Sequence, residues 1–146
     1  MFKGSIVALT LFASFSASAG CTLTSNTTST IRQARTATNW DGWSFSRYDE
    51  ICAKLKHANA QLNIRGDATV LNGVNIAWAS VEITDMDARL SSGLSSLNTR
   101  TNQMVGSQDH AYKLLIESIE DAANALNIDQ GIKDLKDARA AFRKVK

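Results

Sequence analysis

The apolar positions are most regular towards the C-terminal end of the chain. Ala111, Leu115, Ile119, Ala122 and Leu126 recur at intervals of three and four, which predicts a helix opened by Ser107 or Asp109 and running to about Leu126. A second stripe, Ile132, Leu135, Arg139 and Phe142, predicts a last helix capped by Asp129, with Arg143, Lys144 and Lys146 at the negative end of its dipole. Upstream, Phe45, Tyr48, Cys52, Leu55 and Leu62 predict a helix over 45–62, with Gly66 supplying its left-handed stop. Its start offers two caps: Ser46 with Asp49, or Ser44 with a Trp43–Tyr48 hydrophobic staple.

The middle of the chain changes period. Val70, Val74, Ile76, Val81 and Ile83 surround Asn72-Gly73, a two-residue hairpin signal, so strands are expected at 68–71 and 74–84. Val74, Ile76 and Trp78 share one face, whereas Ala77, Ala79, Val81 and Ile83 share the other. Either both faces are covered or a bulge near Ser80 switches them. A turn at Thr84–Asp87 leads to a third strand at about 88–101, broken near Gly93. Leu90, Leu94 and Leu97 also fit helical spacing there, but the serines, threonines and Gly93 are poor helix formers. Thr22–Asn39 is a polar lead, extended or weakly helical around Ile31–Ala37. The expected fold class is α+β: an N-terminal helix, a small antiparallel meander and two C-terminal helices.

One apolar run follows neither period. Ile6–Phe15 lies behind Lys3 and ahead of Ala17-Ser18-Ala19, the charged start, apolar core and A-x-A site of an export signal. At about ten residues it is half the length that spans a bilayer. The chain therefore divides into a signal over 1–19, a lead over 20–39 and a globular α+β domain over 40–146, in a periplasmic or secreted protein. Loss of Lys3 leaves fifteen bases against fourteen acids, a net charge of +1. Ser18-Ala19-Gly20-Cys21 is also similar to a bacterial lipobox, although a bulky aliphatic is usual where Ser18 stands. A lipid-anchored chain beginning at Cys21, its signal then ending at Gly20, is the alternative to a soluble one beginning at Gly20.

Export changes how the two cysteines read. In an oxidising compartment an even count suggests a disulfide between Cys21 and Cys52. It closes a loop of about 32 residues, worth roughly 3–4 kcal/mol by loss of unfolded-chain entropy. Proline is absent, which excludes PxxP-type ligands and leaves the turns to Asp41-Gly42, Asn72-Gly73 and Gly66.

There is no GxSxG, HExxH, CxxC, P-loop or GxGxxG, so no cofactor or metal is expected and the chain reads as a non-enzyme. His57 and His110 fall on separate helices. Glu117, Glu120 and Asp121 share one side of a helix with Lys113 nearby, the pattern of a solvated acidic face. Asp85 and Asp87 lack the glycine and downstream glutamate of a calcium loop. A net charge of +1 gives no basis for nucleic-acid binding. Asn26-Thr27-Thr28 is a glycosylation sequon, meaningful in a eukaryotic host.

The recognition candidate is the cluster Trp40, Trp43, Phe45, Arg47 and Tyr48, residue types enriched at binding hot spots. The same rings equally suit a core where the tied lead crosses the helix. The expected function is that of a small exported binding protein, such as an inhibitor or toxin-immunity protein. Its partner is an exported enzyme or toxin, with cell-wall glycan as a second class and a membrane only if Cys21 is lipidated. The alternatives are a cell-envelope structural protein and a hydrolase whose site assembles in space.

Overall fold

A computed structural model describes residues 21–103 and 105–144; the expected export signal lies outside them. The order of elements is β1 (Ser25–Thr27), α1 (Ser29–Ala37), α2 (Tyr48–Ala58), β2 (Ala60–Leu71), β3 (Val74–Asp85), β4 (Ser91–Asn102), α3 (Gln108–Ala125) and α4 (Ile128–Lys144). The strands form one sheet in the order β1-β2-β3-β4. The class is α+β, as expected, but the sheet is mixed rather than purely antiparallel. β1 runs parallel to β2, pairing Ser25 with Leu62 and Thr27 with Ile64, whereas β2, β3 and β4 form an antiparallel meander.

The polar lead therefore supplies an unforeseen strand, and the weak helix expected around Ile31–Ala37 forms as α1. Its few apolar residues suffice, because Ile31 and Ala34 are fully buried and α1 packs on α3 and β2. Helix α2 is shorter than 45–62. It ends at Asn59, which takes the left-handed conformation (φ 50°, ψ 51°) that had been expected of Gly66. Leu62 lies seven residues after Leu55 and so extends the helical stripe, yet it also alternates with Ala60 and Ile64. The period of two wins, and β2 begins at Ala60.

Gly66 serves close approach instead. A Cβ there would lie 2.6 Å from the Trp78 carbonyl oxygen and 2.8 Å from Leu115 Cδ1. Neither expected cap closes α2, since Ser44 and Ser46 turn their hydroxyls to Glu120 and Asn124 of α3. Ser107 does cap α3, accepting the His110 N–H. The cap of α4 is Asn127, whose Oδ1 accepts the Gln130 N–H, rather than Asp129.

In β3 the two apolar sets separate without a switch at Ser80. Ala77, Ala79, Val81 and Ile83 are fully buried beneath the helices, and Val74, Ile76 and Trp78 lie on the opposite face. The register shift comes later, between Glu82 and Thr84, where β4 accommodates Gly93 at φ +72°. α3 lies against β2, β3 and β4, and α4 against β3, β4 and α2, so a single helical layer covers one face of the sheet.

The expected disulfide is present. Cys21 and Cys52 are joined with their Cα atoms 6.0 Å apart. Tyr48 reinforces the closure: its hydroxyl donates to the Cys21 carbonyl at 2.9 Å and accepts the Leu23 N–H at 3.2 Å. The bond occupies the sulfur that a lipid anchor on Cys21 would need.

Two stability changes follow. Replacing both cysteines (Cys21→Ala with Cys52→Ala) should cost about 3 kcal/mol in urea unfolding, because the loop is freed in the denatured chain. Gly66→Ala should cost about 1–3 kcal/mol, since both α3 and the β3 backbone must retreat.

Candidate functional site

The expected aromatic cluster is assembled, and most of it faces inward. Trp40 meets Trp43 edge-on with ring centroids 4.5 Å apart, and the series continues through Phe45 to Tyr48. Phe45 is buried, whereas the Trp40, Trp43 and Tyr48 residues are half-buried. The Arg35 guanidinium lies 4.1 Å from the centre of a Trp40 ring, a cation–π contact that holds the turn to α1.

Arg47 is committed within the fold. Its Nη1 donates to the carbonyls of Asn124 and Leu126, both at 2.9 Å, satisfying acceptors at the C-terminal end of α3. Its Nε and Nη2 form a two-pronged pair with Glu50, which also accepts from Lys54. Lys54 reaches on to Asp129 in the first turn of α4. Hydrogen bonds from Arg47 and then Lys54 hold the Glu50 carboxyl down at about 2, against an ordinary value of 4.5.

The carboxylates on α3 are likewise engaged. Asp121 accepts from Nε and Nη2 of Arg100, and Glu117 from its Nη1, tying α3 to β4. The hydrogen bonds that Arg100 donates to Asp121 raise the pKa of its guanidinium. Glu120 accepts both the N–H and the hydroxyl of Ser44. The acidic face therefore has partners from β4 and from the aromatic turn, which spacing along one helix did not reveal. His110 sits at the start of α3 with Nδ1 2.9 Å from Ser107 Oγ and 3.1 Å from the Val105 carbonyl oxygen. His57 is exposed on α2. Among the described residues no group of three or more His, Cys, Asp or Glu could hold a metal ion, and no helix is long and apolar enough to cross a membrane.

The surface that sequence reasoning missed is the sheet face opposite the helices. Alternation places Gln61, Asn63, Arg65, Asp67, Thr69 and Leu71 there from β2, and Ser95, Leu97, Thr99 and Thr101 from β4. Trp78 is centred between Asp67 and Thr99, and Ile76 between Thr69 and Thr101. Val74, Ile76 and Trp78 form a ridge along β3, with Leu71 paired to Val74 at one end and Leu97 diagonal to Trp78 at the other. Trp78 is 41% exposed, Leu71 58% and Leu97 67%.

Towards the α2 end the face becomes polar. Glu82 accepts from Ser91 and Asn63 there, and Gln61 donates to the carbonyls of Asp85 and Met86. The alternation of Val74, Ile76 and Trp78 was the signal for this face. What the sequence did not supply was that the helices among the described residues pack on the other side.

A cavity of about 320 Å³ beside the disulfide is lined by Leu23, Cys52, Leu55, Lys56 and Met86 among others, with one ionisable group and no acid–base pair. No protein-family model, curated protein or solved structure matches the chain.

Arg47→Met should cost about 2 kcal/mol by stranding two carbonyls at the end of α3. Glu50→Gln should lower Tm in a pH-dependent way. A depressed carboxyl stabilises the fold fully above its unfolded value and loses that contribution as pH falls through its folded one. The Tm difference from wild type should therefore be constant above about pH 5, shrink below 4.5 and vanish near 2. Calorimetry across that range measures it.

Proposed function

We propose that the chain is a small exported binding protein that acts by protein–protein recognition, in the manner of an inhibitor or toxin-immunity protein, with the open sheet face as its recognition surface. The observation that carries this reading is the ridge Leu71–Val74–Ile76–Trp78–Leu97, with Leu71, Trp78 and Leu97 exposed and Val74 and Ile76 half-buried, on a sheet whose other face is covered by the helices. An exposed tryptophan amid β-branched and aliphatic side chains, rimmed by Arg65, Asp67 and threonines, has the anatomy of an interface: apolar centre, polar rim. A paired sheet also holds these side chains on a rigid backbone, which limits the ordering cost on binding.

The disulfide supports an oxidising compartment. It also favours a soluble form over a lipid-anchored envelope protein, because a lipidated Cys21 has no thiol left to oxidise. The aromatic turn contributes to recognition less than the sheet does, since Arg47, Phe45 and Tyr48 are spent on internal contacts.

The test is to capture partners from the host's exported proteins with the processed chain, and then to measure affinity for any stoichiometric partner. Trp78→Ala should weaken binding at least tenfold with the fold kept, as judged by an unchanged far-UV spectrum. Trp43→Ala should do the reverse, lowering Tm and leaving affinity within about threefold. Equal affinity in Trp78→Ala overturns the assignment of the face. Saturable binding of soluble cell-wall glycan, with no protein partner, overturns the reading itself.

A further inference from the structure

We propose that β4 is a self-pairing edge: two copies of the chain join antiparallel along their β4 strands, across a two-fold axis through Leu97, to form a continuous eight-stranded sheet. This does not depend on the proposed function, because it concerns the edge of the sheet rather than the identity of a ligand on its face.

The two edges of the sheet are unlike. β1 is three residues long, too short to template much pairing. β4 has twelve residues and, among the described residues, pairs with β3 alone. Soluble proteins blunt such an edge with lysine, proline, an inward charge, a bulge or a covering element. From Leu94 to Asn102 β4 has no lysine and no proline, and its one charge, Arg100, is drawn onto α3 by Asp121 and Glu117. The single irregularity lies at the far end, near Gly93. No residue of β4 is buried: those facing the helices are only half-covered and those on the open face are exposed, whereas β2 and β3 bury their helix-facing side chains.

Symmetry narrows the occupant and the register. With a two-fold perpendicular to the sheet, open-face residues meet open-face residues, so partners differ by an even number. Centring on Leu97 sets Leu97 against its own copy, Ser95 against Thr99, Ser96 against Asn98 and Leu94 against Arg100. No like charges are opposed in that arrangement, and the most exposed leucine of the sheet is covered. Moving the centre by one residue sets Leu97 against a serine or a threonine and leaves its side chain without an apolar partner. The Leu97 arrangement also joins the two Trp78–Leu97 diagonals into one apolar stripe, so the recognition face doubles in length. A second copy fits this edge better than an unrelated strand, because this register opposes no like charges and sets the exposed Leu97 against its own copy. A pairing of about seven residues is small for an interface, so the dimer should be weak and reversible, with a Kd on the order of micromolar.

The test uses the processed chain purified from the exported fraction. Sedimentation velocity from about 1 to 300 µM should show a monomer–dimer equilibrium. Leu97→Lys should abolish it, weakening association at least tenfold with an unchanged far-UV spectrum. Thr99→Lys, also on the exposed face, provides a second disruption that does not alter the leucine. Register is read by cross-linking under mild oxidation. Leu97→Cys should link to itself. Ser95→Cys and Thr99→Cys should each fail alone, but should link when the two proteins are mixed. A monomer throughout the concentration range overturns the proposal. So does a dimer that survives both lysine variants, or one that cross-links equally well at all three positions.

Discussion

The arrangement depends on how closely α3 can approach the sheet. Gly66 in β2, with Ala77 and Ala79 beside it in β3, leaves a shallow floor on which Leu115 rests. A helix held this near places its remaining faces within reach of everything else. One side meets α1, and Glu117 and Asp121 hold Arg100 from β4. At its C-terminal end Glu120, Asn124 and the carbonyls of Asn124 and Leu126 receive Ser44, Ser46 and Arg47. The aromatic turn, the entry to α2 and the outer strand are thus positioned from one element, and that element by the absence of side-chain bulk beneath it.

The parts legible in the sequence are those in which a local pattern has one solution. α3 and α4 have sustained helical stripes, and the Asn72-Gly73 hairpin has the residues its turn requires. Cys21 and Cys52 offered one pairing within the chain, with lipidation of Cys21 as the alternative. The misreadings arose where two periods overlap. Leu62 satisfies both the helix that ends at Asn59 and the strand that begins at Ala60, and Gly66 mimics a helix stop. β1 was invisible for a different reason: three polar residues have no period, and the strand exists because β2 offers it an edge.

The candidate surfaces show the same divide. Residue type drew attention to Trp40, Trp43, Phe45, Arg47 and Tyr48, and the structure does bring them together, but the contacts they make are mostly internal. Trp78 was placed correctly on a face of its own, with Val74 and Ile76. Its exposure is a tertiary fact, decided by where four helices pack, and no spacing along a strand encodes that. Arg100, which no pattern in the sequence singles out, is held to α3 across β4 by Glu117 and Asp121.

The covalent ring from Cys21 to Cys52 encloses β1, α1 and the turn around Asp41, and β1 is hydrogen-bonded to a strand outside the ring. Exposed turn tips such as Asp41 are where proteases cut first. A single cut there opens the ring without releasing anything: both pieces stay joined through sulfur, and the severed lead remains paired in the sheet. A chain built this way tolerates a nick at this turn, so its persistence among proteases rests on the second cut rather than the first.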